Sequence, residues 1–515
     1  MRRYLYFTVF ISGMTALAAE FGASRLLQTI YGSSNIVWAS IIGLIMVYFA
    51  VGYRLGGRWA DRSPRPQTLF GILAWGAFTL GIVPFIAAPV LRAAAAAFDV
   101  LSFGVMLGSF AGTLILFSIP VTLLAMASPF AVRLLMEDAA KAGNISGEVS
   151  SISTMGSVLG AFLPTLFLFA LIGTTLTFLV FAGILLLVAL IGLWFSSGTK
   201  ALLPFLLFPV LLVLAALVND YRIKSTPGQV YETESAYNYI EVLKSGDSMM
   251  LRLNEGQGIH SEYNPNQLFY GGPWEEFLVA PMFNPEFDPS KVRRIAIVGL
   301  AAGTTARQAT AVYGGIPIDG YEIDPKIVEV GRKYFGMTMP NLNVYVADGR
   351  WGLEHSPYKY DIIAVDAYRP PYIPPHLTTR EFFKICAEHL TKNGVLAINV
   401  GRAPIDRRLI NDLAATIRTV LPSTHVIDIP ITFNSMLYAT RQPTTTDSLG
   451  ANLKALTAEP LSSPLLVIAA QVAFTNLQPD PTGGEVYTDD RSPVEWVTNS
   501  LVINFILSGG VDSMQ

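Results

Sequence analysis

Charge is scarce between Tyr4 and Val218, where the apolar runs are long. A stretch so poor in charge is unsuited to a solvated surface and suited to hydrocarbon, which about 20 consecutive apolar residues can cross. Cysteine is nearly absent: Cys386 stands alone, so no disulfide forms within the chain and no cysteine-based zinc site exists. The five histidines are scattered, without HExxH or a similar ligand spacing, so no metal is expected. The formal net charge is only -3 over 515 residues, which argues against a broad nucleic-acid-binding surface. After Asp220 the composition becomes that of a soluble domain.

Apolar segments lie near 4–24, 36–58, 68–91, 102–128, 151–172, 174–196 and 201–218, predicting seven membrane spans. The first lacks a small-residue cleavage site followed by a soluble start, so it reads as a span rather than a signal peptide. Arg2, Arg3, Arg54, Arg58, Arg62, Arg65, Arg133, Lys141 and Lys200 all fall on one side, which predicts that this side is cytoplasmic. Seven spans then put the following domain outside, whereas use of a cytosolic nucleotide predicts it inside. The two expectations conflict unless a segment is re-entrant or residues 92–130 cross once more; the expectation adopted is a multi-pass protein of the cytoplasmic membrane with its soluble domain on the cytoplasmic side. Glu20 and Arg25 interrupt the first segment, and interface pairing with each other or with neighbouring helices is the expected arrangement. Recurring small residues (Gly43, Gly52, Gly56, Gly57, Gly156, Gly160) suit close helix packing.

Beyond the linker at 219–229, two β-prone runs flank Ser245-Gly246-Asp247 and predict a hairpin over 237–254. Short apolar strands at 294–299, 318–324, 343–348, 360–368 and 394–400 then alternate with helical stretches such as 325–335 and 379–391. This is the pattern of a doubly wound parallel sheet, in which ligands bind at the carboxyl ends of the strands. The first strand ends in Gly299-Leu-Ala-Ala-Gly303, small residues including Ala301 that let backbone approach a ligand. The second ends in Glu322-Ile323-Asp324, where an acid can accept ribose hydroxyls. The third ends in Asp348-Gly349 and the fourth in Asp366. Acids closing three successive strands predict a nucleoside site. The turn lacks GxGxxG spacing and no Walker lysine follows, which disfavours a triphosphate. The pattern of acids is similar to that of S-adenosylmethionine enzymes. Tyr237 and Trp274 are candidate pocket walls, and Tyr368 directly follows the fourth strand. The proline-stiffened stretch 369–383 predicts a cover over the site, with His376 structural.

At this point the chain resembles the spermidine synthase (aminopropyltransferase) family, in particular a membrane-fused branch. "LRLNEGQGIHSEY" (251–263) resembles its LxLDGxxQ region, "GYEID" its ribose-binding strand, "VADG" its adenine-binding turn and "VDAY" its catalytic strand end. "SGMTALAAEFGASRLL" (12–27) and "VYTDDRSPVEW" (486–496) resemble the membrane-fused branch. The resemblance implies a multi-span helical membrane domain at 1–220, a small β subdomain at 221–290 and a Rossmann-like S-adenosylmethionine-binding domain at 291–515. It implies that S-adenosylmethionine or its decarboxylated form is a substrate, bound by Gln257, Gly299, Ala301, Gly303, Glu322, Ile323, Asp324, Asp348 and Gly349. It assigns Asp366, with Tyr368, to orienting or deprotonating an amine that displaces methylthioadenosine. It places Tyr237, His260, Trp274, Glu275 and Arg369 around the acceptor.

Three departures weaken the grip on cationic amines. The turn 299–303 carries no acid where the family has an Asp in GGGDG, Arg369 replaces the family's second acid, and "GPWEEF" (272–277) stands where the family has YHE. The expectation is therefore an integral membrane enzyme of polyamine-biosynthesis type with an acceptor other than a simple polyamine. A lyase or cyclase reaction without acceptor, a methyltransferase, and a nucleoside-sensing transporter are the alternatives. The expected partners are a lipid bilayer and a small molecule, without nucleic acid; a homodimer is compatible with the sequence.

Overall fold

The computed structural model describes residues 1–31, 35–98, 104–136, 141–218, 224, 226–254, 258–368, 372–404, 406–458 and 463–507. The chain forms two compact units. One comprises Met1–Thr226 with Glu232–Tyr239 and Asn254–Gly256; the other comprises Pro227–Tyr231, Ile240–Leu253 and Gln257–Gln515.

The first unit is helical: α1 (Arg2–Tyr31), α2 (Asn35–Arg62), α3 (Pro66–Phe98), α4 (Gly104–Ala125), α5 (Ala127–Leu135), α6 (Ala142–Leu163), α7 (Phe169–Leu202) and α8 (Leu207–Val218). Among the described residues, six helical stretches are long and apolar enough to cross a membrane, the last running over the 48 residues Leu171–Val218. A straight helix of that length would extend roughly 70 Å, more than twice the thickness of a bilayer core of about 30 Å. It does not run straight. Gly198 takes φ +73°, a left-handed conformation that breaks the helix. Across the break the chain doubles back. Gly192 faces Phe70 and Gly81 faces Ala182, so α7 is antiparallel to α3; Gly71 faces Phe205 and Gly81 also faces Leu212, so α8 is parallel to α3. Past the break the apolar chain therefore returns alongside α3 as α8.

The same close approaches order the helix ends. Gly156 packs on the Phe10 carbonyl and Gly160 on that of Met14, so α6 runs parallel to α1. Asp61 pairs with Arg133 at 3.2 Å, joining the end of α2 to α5. The Tyr31 hydroxyl donates to the Leu91 carbonyl at 2.9 Å at the opposite end. At that end Arg25 lies over the Phe169 ring and donates to the Ala236 carbonyl (2.7 Å), Gln28 donates to the Tyr237 carbonyl and to Asn254, and Thr174 donates to Glu234. The interface arrangement expected of Arg25 is therefore made with the 232–239 loop. Glu20 is buried, and its Oε2 has no hydrogen-bond partner among the described residues.

The second unit begins with the small sheet β1-β2-β3-β4 (Gln229–Glu234, Tyr239–Ser245, Ser248–Leu253, Ser261–Tyr263). Its β2–β3 hairpin turns at Ser245–Ser248, with Gly246 at φ +58°. After the short helix α9 (Pro273–Glu276) comes the main sheet: β5 (Ile295–Val298), β6 (Ile318–Glu322), β7 (Leu342–Val346), β8 (Tyr360–Val365), β9 (Leu390–Gly401), β10 (Ser423–Asp428), β11 (Asn434–Thr440) and β12 (Leu477–Gln478). Its order is β12-β10-β11-β9-β8-β5-β6-β7. Strands β5 to β9 pair parallel, as the alternation of apolar runs and helices predicts. Strands β10, β11 and β12 add antiparallel neighbours, so the sheet is mixed rather than wholly parallel. The connecting helices are α10 (Thr304–Tyr313), α11 (Pro325–Tyr334), α12 (Gly349–Glu354), α13 (Arg380–His389) and α14 (Arg408–Arg418), followed by α15 (Asp447–Ala458), α16 (Pro464–Thr475) and α17 (Val494–Leu507). Apolar clusters cover both sheet faces. Strand β5 has β6 on one side and β8 on the other, so the winding reverses at its edge, the place where sheets of this kind bind ligands at the carboxyl ends.

Candidate active site

The turn after β5 is held by its own backbone and by β6. Gly299 N–H and Leu300 N–H both donate to the Tyr321 carbonyl at 3.0 Å. Gly299 adopts φ +87°, and a Cβ there would lie 2.6 Å from the backbone of Asp366 and Ala367. Only glycine fits, and its absent side chain brings the turn against the end of β8. Ala301 stands at φ +48°, a region that costs an L-residue about 1–2 kcal/mol. Its N–H donates to Glu322 Oε2 at 2.9 Å, and Ala302 N–H donates to Ser261 Oγ at 3.0 Å, which anchor the strained residue. Gly303, at φ +87°, opens α10.

Glu322 closes β6. Its Oε1 accepts Asp324 N–H (3.0 Å) and its Oε2 accepts Ala301 N–H (2.9 Å), so both oxygens are oriented by backbone. Each keeps a further lone pair for a ligand hydroxyl. Burial pushes this carboxyl up to about 7, against the pull of those N–H groups. Asp324 is fully buried and accepts from Lys326 N–H at 2.9 Å. The structure thus gives Asp324 a helix-capping role at α11 where the sequence suggested ligand contact, while Ile323 is exposed beside it.

Asp348 follows β7. Its Oδ1 accepts Arg350 N–H and Trp351 N–H at 3.0 Å each, and its Oδ2 lies 2.8 Å from His376 Nε2. The His376 bond, then those N–H groups, hold the carboxyl below its ordinary range. Gly349 lies against Val298, where a Cβ would approach to 2.4 Å.

Asp366 follows β8, and its N–H donates to the Val298 carbonyl at 2.8 Å. Asn399 Nδ2 donates to its Oδ1 at 2.8 Å. Burial pushes the carboxyl up to about 6, and the Asn399 bond counters part of that rise. Tyr368 donates its hydroxyl proton to the Asn399 carbonyl at 3.0 Å, and burial raises the phenol well above its usual range. A proton so engaged makes Tyr368 a strut beside Asp366, at the position next to the catalytic strand end where the sequence suggested a pocket role.

The expected acceptor residues do not assemble as a group. Glu275 is fully buried and accepts from Tyr270 N–H, Gly272 N–H and Gln308 Nε2, so its carboxylate is an internal cap for α9. Trp274 is buried edge-on to Tyr270, with ring centroids 6.1 Å apart. Tyr237 is exposed and belongs to the helical unit. His260 fits better: its Nε2 is enclosed with no hydrogen-bond partner among the described residues, and burial pulls the imidazole down to about 4, keeping it neutral. Gln257 and Arg369 lie outside the described residues. Among the described residues no cluster of metal-ligating side chains occurs.

Sequence reading missed Asn399 and Asn434, whose Nδ2 donates to Asn399 Oδ1 at 2.7 Å. The available signal was a lone amide in the apolar run "VLAINV" at the same sheet edge as Asp366. It also missed the ties of His376: Arg350 donates to the His376 carbonyl and pairs bidentately with Asp489 at 2.7 Å, and Asp489 accepts from Thr379. The C-terminal "YTDDRS" run thereby fastens the 372–379 stretch beside Asp348.

Residues 282–446 match the family model of the spermine/spermidine synthase domain. The chain is 31% identical over 280 residues to a probable polyamine aminopropyl transferase of Bifidobacterium longum, covering 52% of this chain and 61% of that protein, less than two thirds of its length. It is 30% identical over 227 residues to a polyamine aminopropyltransferase of Vibrio vulnificus, covering 42% of this chain and 73% of that protein. The crystal structure of a probable spermidine synthase from Corynebacterium glutamicum aligns over 52% of this chain and 97% of that one, at 19% identity and TM-score 0.41. By sequence, then, this chain belongs to the spermine/spermidine synthase family.

Proposed function

We propose that the protein is an integral membrane transferase that moves the aminopropyl-type arm of an adenosyl sulfonium to an amine and releases methylthioadenosine. The observation that carries this reading is the placement of Glu322, Asp348 and Asp366 at the ends of three parallel strands around the Gly299 turn, with Asp366 half-buried. Glu322 faces the ribose hydroxyls as acceptor, and Asp348 the base. Asp366, ionised above about pH 6, takes a proton from the incoming amine through Oδ2, since Oδ1 is engaged by Asn399. The amine nitrogen forms a bond to the methylene beside sulfur. The carbon–sulfur bond breaks, its electron pair stays on sulfur, and the cationic sulfonium leaves as a neutral thioether. The protein's main contribution is to position two reactants and accept one proton.

Purified protein supplied with S-adenosylmethionine or its decarboxylated form, and then with an amine panel, should release methylthioadenosine. Release of S-adenosylhomocysteine instead would replace this reading with methyl transfer. Binding of the sulfonium without turnover of any kind would contradict it.

We propose that the helical unit crosses the bilayer seven times, its last apolar stretch, Leu171–Val218, making two of the crossings; the reversal at Gly198 supports this. Arg2, Arg3, Arg54, Arg58, Arg62, Arg65, Arg133, Lys141 and Lys200 lie at one end, and Arg25 and Arg92 at the other. The positive-inside rule assigns the first end to the cytoplasm. An odd number of crossings then releases the chain after Val218 on the non-cytoplasmic side, against the cytoplasmic side expected from use of a cytosolic nucleotide, and labelling decides between the two. With Cys386 replaced by serine, a membrane-impermeant maleimide applied to intact cells is expected to label Lys392→Cys at once and Gln67→Cys only after lysis; both positions are exposed. The reverse pattern would place the domain in the cytoplasm.

A further inference from the structure

Two amides stand behind Asp366, and their order has a chemical consequence. Asn399 is 4% exposed, on a strand whose neighbours Val395, Leu396, Ala397, Ile398 and Val400 are all buried. A primary amide in that position must satisfy both its oxygen and its NH2 from protein groups. Asn434 Nδ2 donates to Asn399 Oδ1 at 2.7 Å, which leaves the Asn399 NH2 for Asp366 Oδ1 at 2.8 Å. Were Asn399 turned over, its Oδ1 would oppose the carboxylate and its NH2 would oppose the NH2 of Asn434, so both bonds would become repulsions. Asn434 is held in turn: its N–H donates to Thr432 Oγ1 at 3.1 Å and its carbonyl accepts from Ile429 N–H at 2.9 Å. The Tyr368 hydroxyl bonds the Asn399 carbonyl at 3.0 Å, tying the same residue to the segment that carries Asp366.

We infer that Asn399 and Asn434 are positioning residues that form a two-amide relay selecting Oδ2 of Asp366 as the oxygen that receives the substrate proton. Oδ1 faces an N–H donor and cannot carry the proton without a hydrogen–hydrogen clash. The proton therefore resides on Oδ2, on the side away from Asn399. The relay also favours the ionised carboxylate, because its bond is charge-assisted in that form alone. This inference rests on Asp366 being the base.

Three variants separate the relay from mere packing. Asn399→Leu removes the donor at similar volume. Asn434→Asp leaves Asn399 in place but offers it an acceptor, which turns the amide over. Asn434→Ser keeps a donor. The first two are expected to lower kcat about tenfold to a hundredfold, as loss of supporting hydrogen bonds around a reactive group does. They should move the acid limb of the kcat–pH profile up by about one unit and leave KM for the adenosyl substrate within about twofold. Asn434→Ser, whose shorter donor imposes no acceptor on Asn399, should fall between the parent and Asn434→Asp in kcat and in the position of the limb. If Asn399→Leu and Asn434→Asp both keep the parent limb and kcat, or alter KM alone, the relay is refuted. An infrared titration of the protonated carboxyl band, assigned by its loss in Asp366→Asn, reads the same shift without turnover. Absence of turnover in the parent with a shifted band would sink the transferase reading and keep the relay, whereas an unshifted band in Asn399→Leu sinks the relay.

Discussion

Asp366→Asn is expected to lower kcat by about two to four orders of magnitude, the usual contribution of a positioned general base, with nucleoside affinity changed less than about threefold. Asparagine keeps the size and the polarity but cannot accept the amine proton, and among the described residues that directly follow β8 the other ionisable group is the Tyr368 hydroxyl, whose proton already bonds the Asn399 carbonyl. Binding should survive because the turn rests on Glu322 and Ser261 rather than on the Asp366 carboxyl. The pH dependence follows from the direction of the shift. Burial raises Asp366 to about 6, and the ionised form is the active one. Turnover should therefore be full above pH 7 and fall about tenfold per unit below pH 6. Stopped assays of methylthioadenosine release from parent and variant across pH 5–9 check both points. A variant that turns over normally would show that another group takes the proton.

The second large effect is expected at Glu322. Its two oxygens accept two different backbone N–H groups, Ala301 and Asp324. Glutamine can accept only one, because its NH2 would face the other N–H donor. Glu322→Gln should therefore release Ala301 from its left-handed conformation and remove the charged acceptor for the ribose. A hydrogen bond to a charged group contributes about 1.5–3 kcal/mol, so adenosyl affinity should fall roughly tenfold to a hundredfold. Here too the sign of the pH effect is fixed. The free carboxyl sits at about 7, and the ligand bonds its ionised form. Affinity should be highest above pH 7 and decline as the pH falls through 7, with a proton released on binding near neutrality.

Much of this site can be read from the sequence because parallel strands, buried on both faces, are continuous apolar runs, and the residue at which each run stops is the residue at the ligand edge. Glu322 and Asp366 stand out for that reason; Asp348 follows the half-exposed edge strand β7 and stands out because it ends the run "NVYVAD". The antiparallel strands do not: "STHVID" mixes polar and apolar residues, and its pairing with β11 depends on a long-range register that no local pattern encodes. Asn399 was invisible because one amide in an apolar strand has no periodicity; its meaning comes from Asp366, 33 residues away in sequence. Glu275 and Trp274 misled in the opposite way. An acid three residues after Gly272 reads equally as a substrate contact or as a helix cap, and only its three internal donors decide between them. In the helical unit the long apolar helices were readable from hydropathy. The sharp reversal between the last two depends on the single left-handed residue Gly198.

Binding of an adenosyl group at this sheet edge is the central claim. Titration calorimetry of the full chain with methylthioadenosine, run at pH 6 and pH 8 on the parent and on Glu322→Gln, measures this. The account predicts saturable heat from the parent, stronger at pH 8 than at pH 6, and a loss of affinity of at least about tenfold in the variant. A parent that gives no heat, or a variant that binds as the parent does at both pH values, would contradict it.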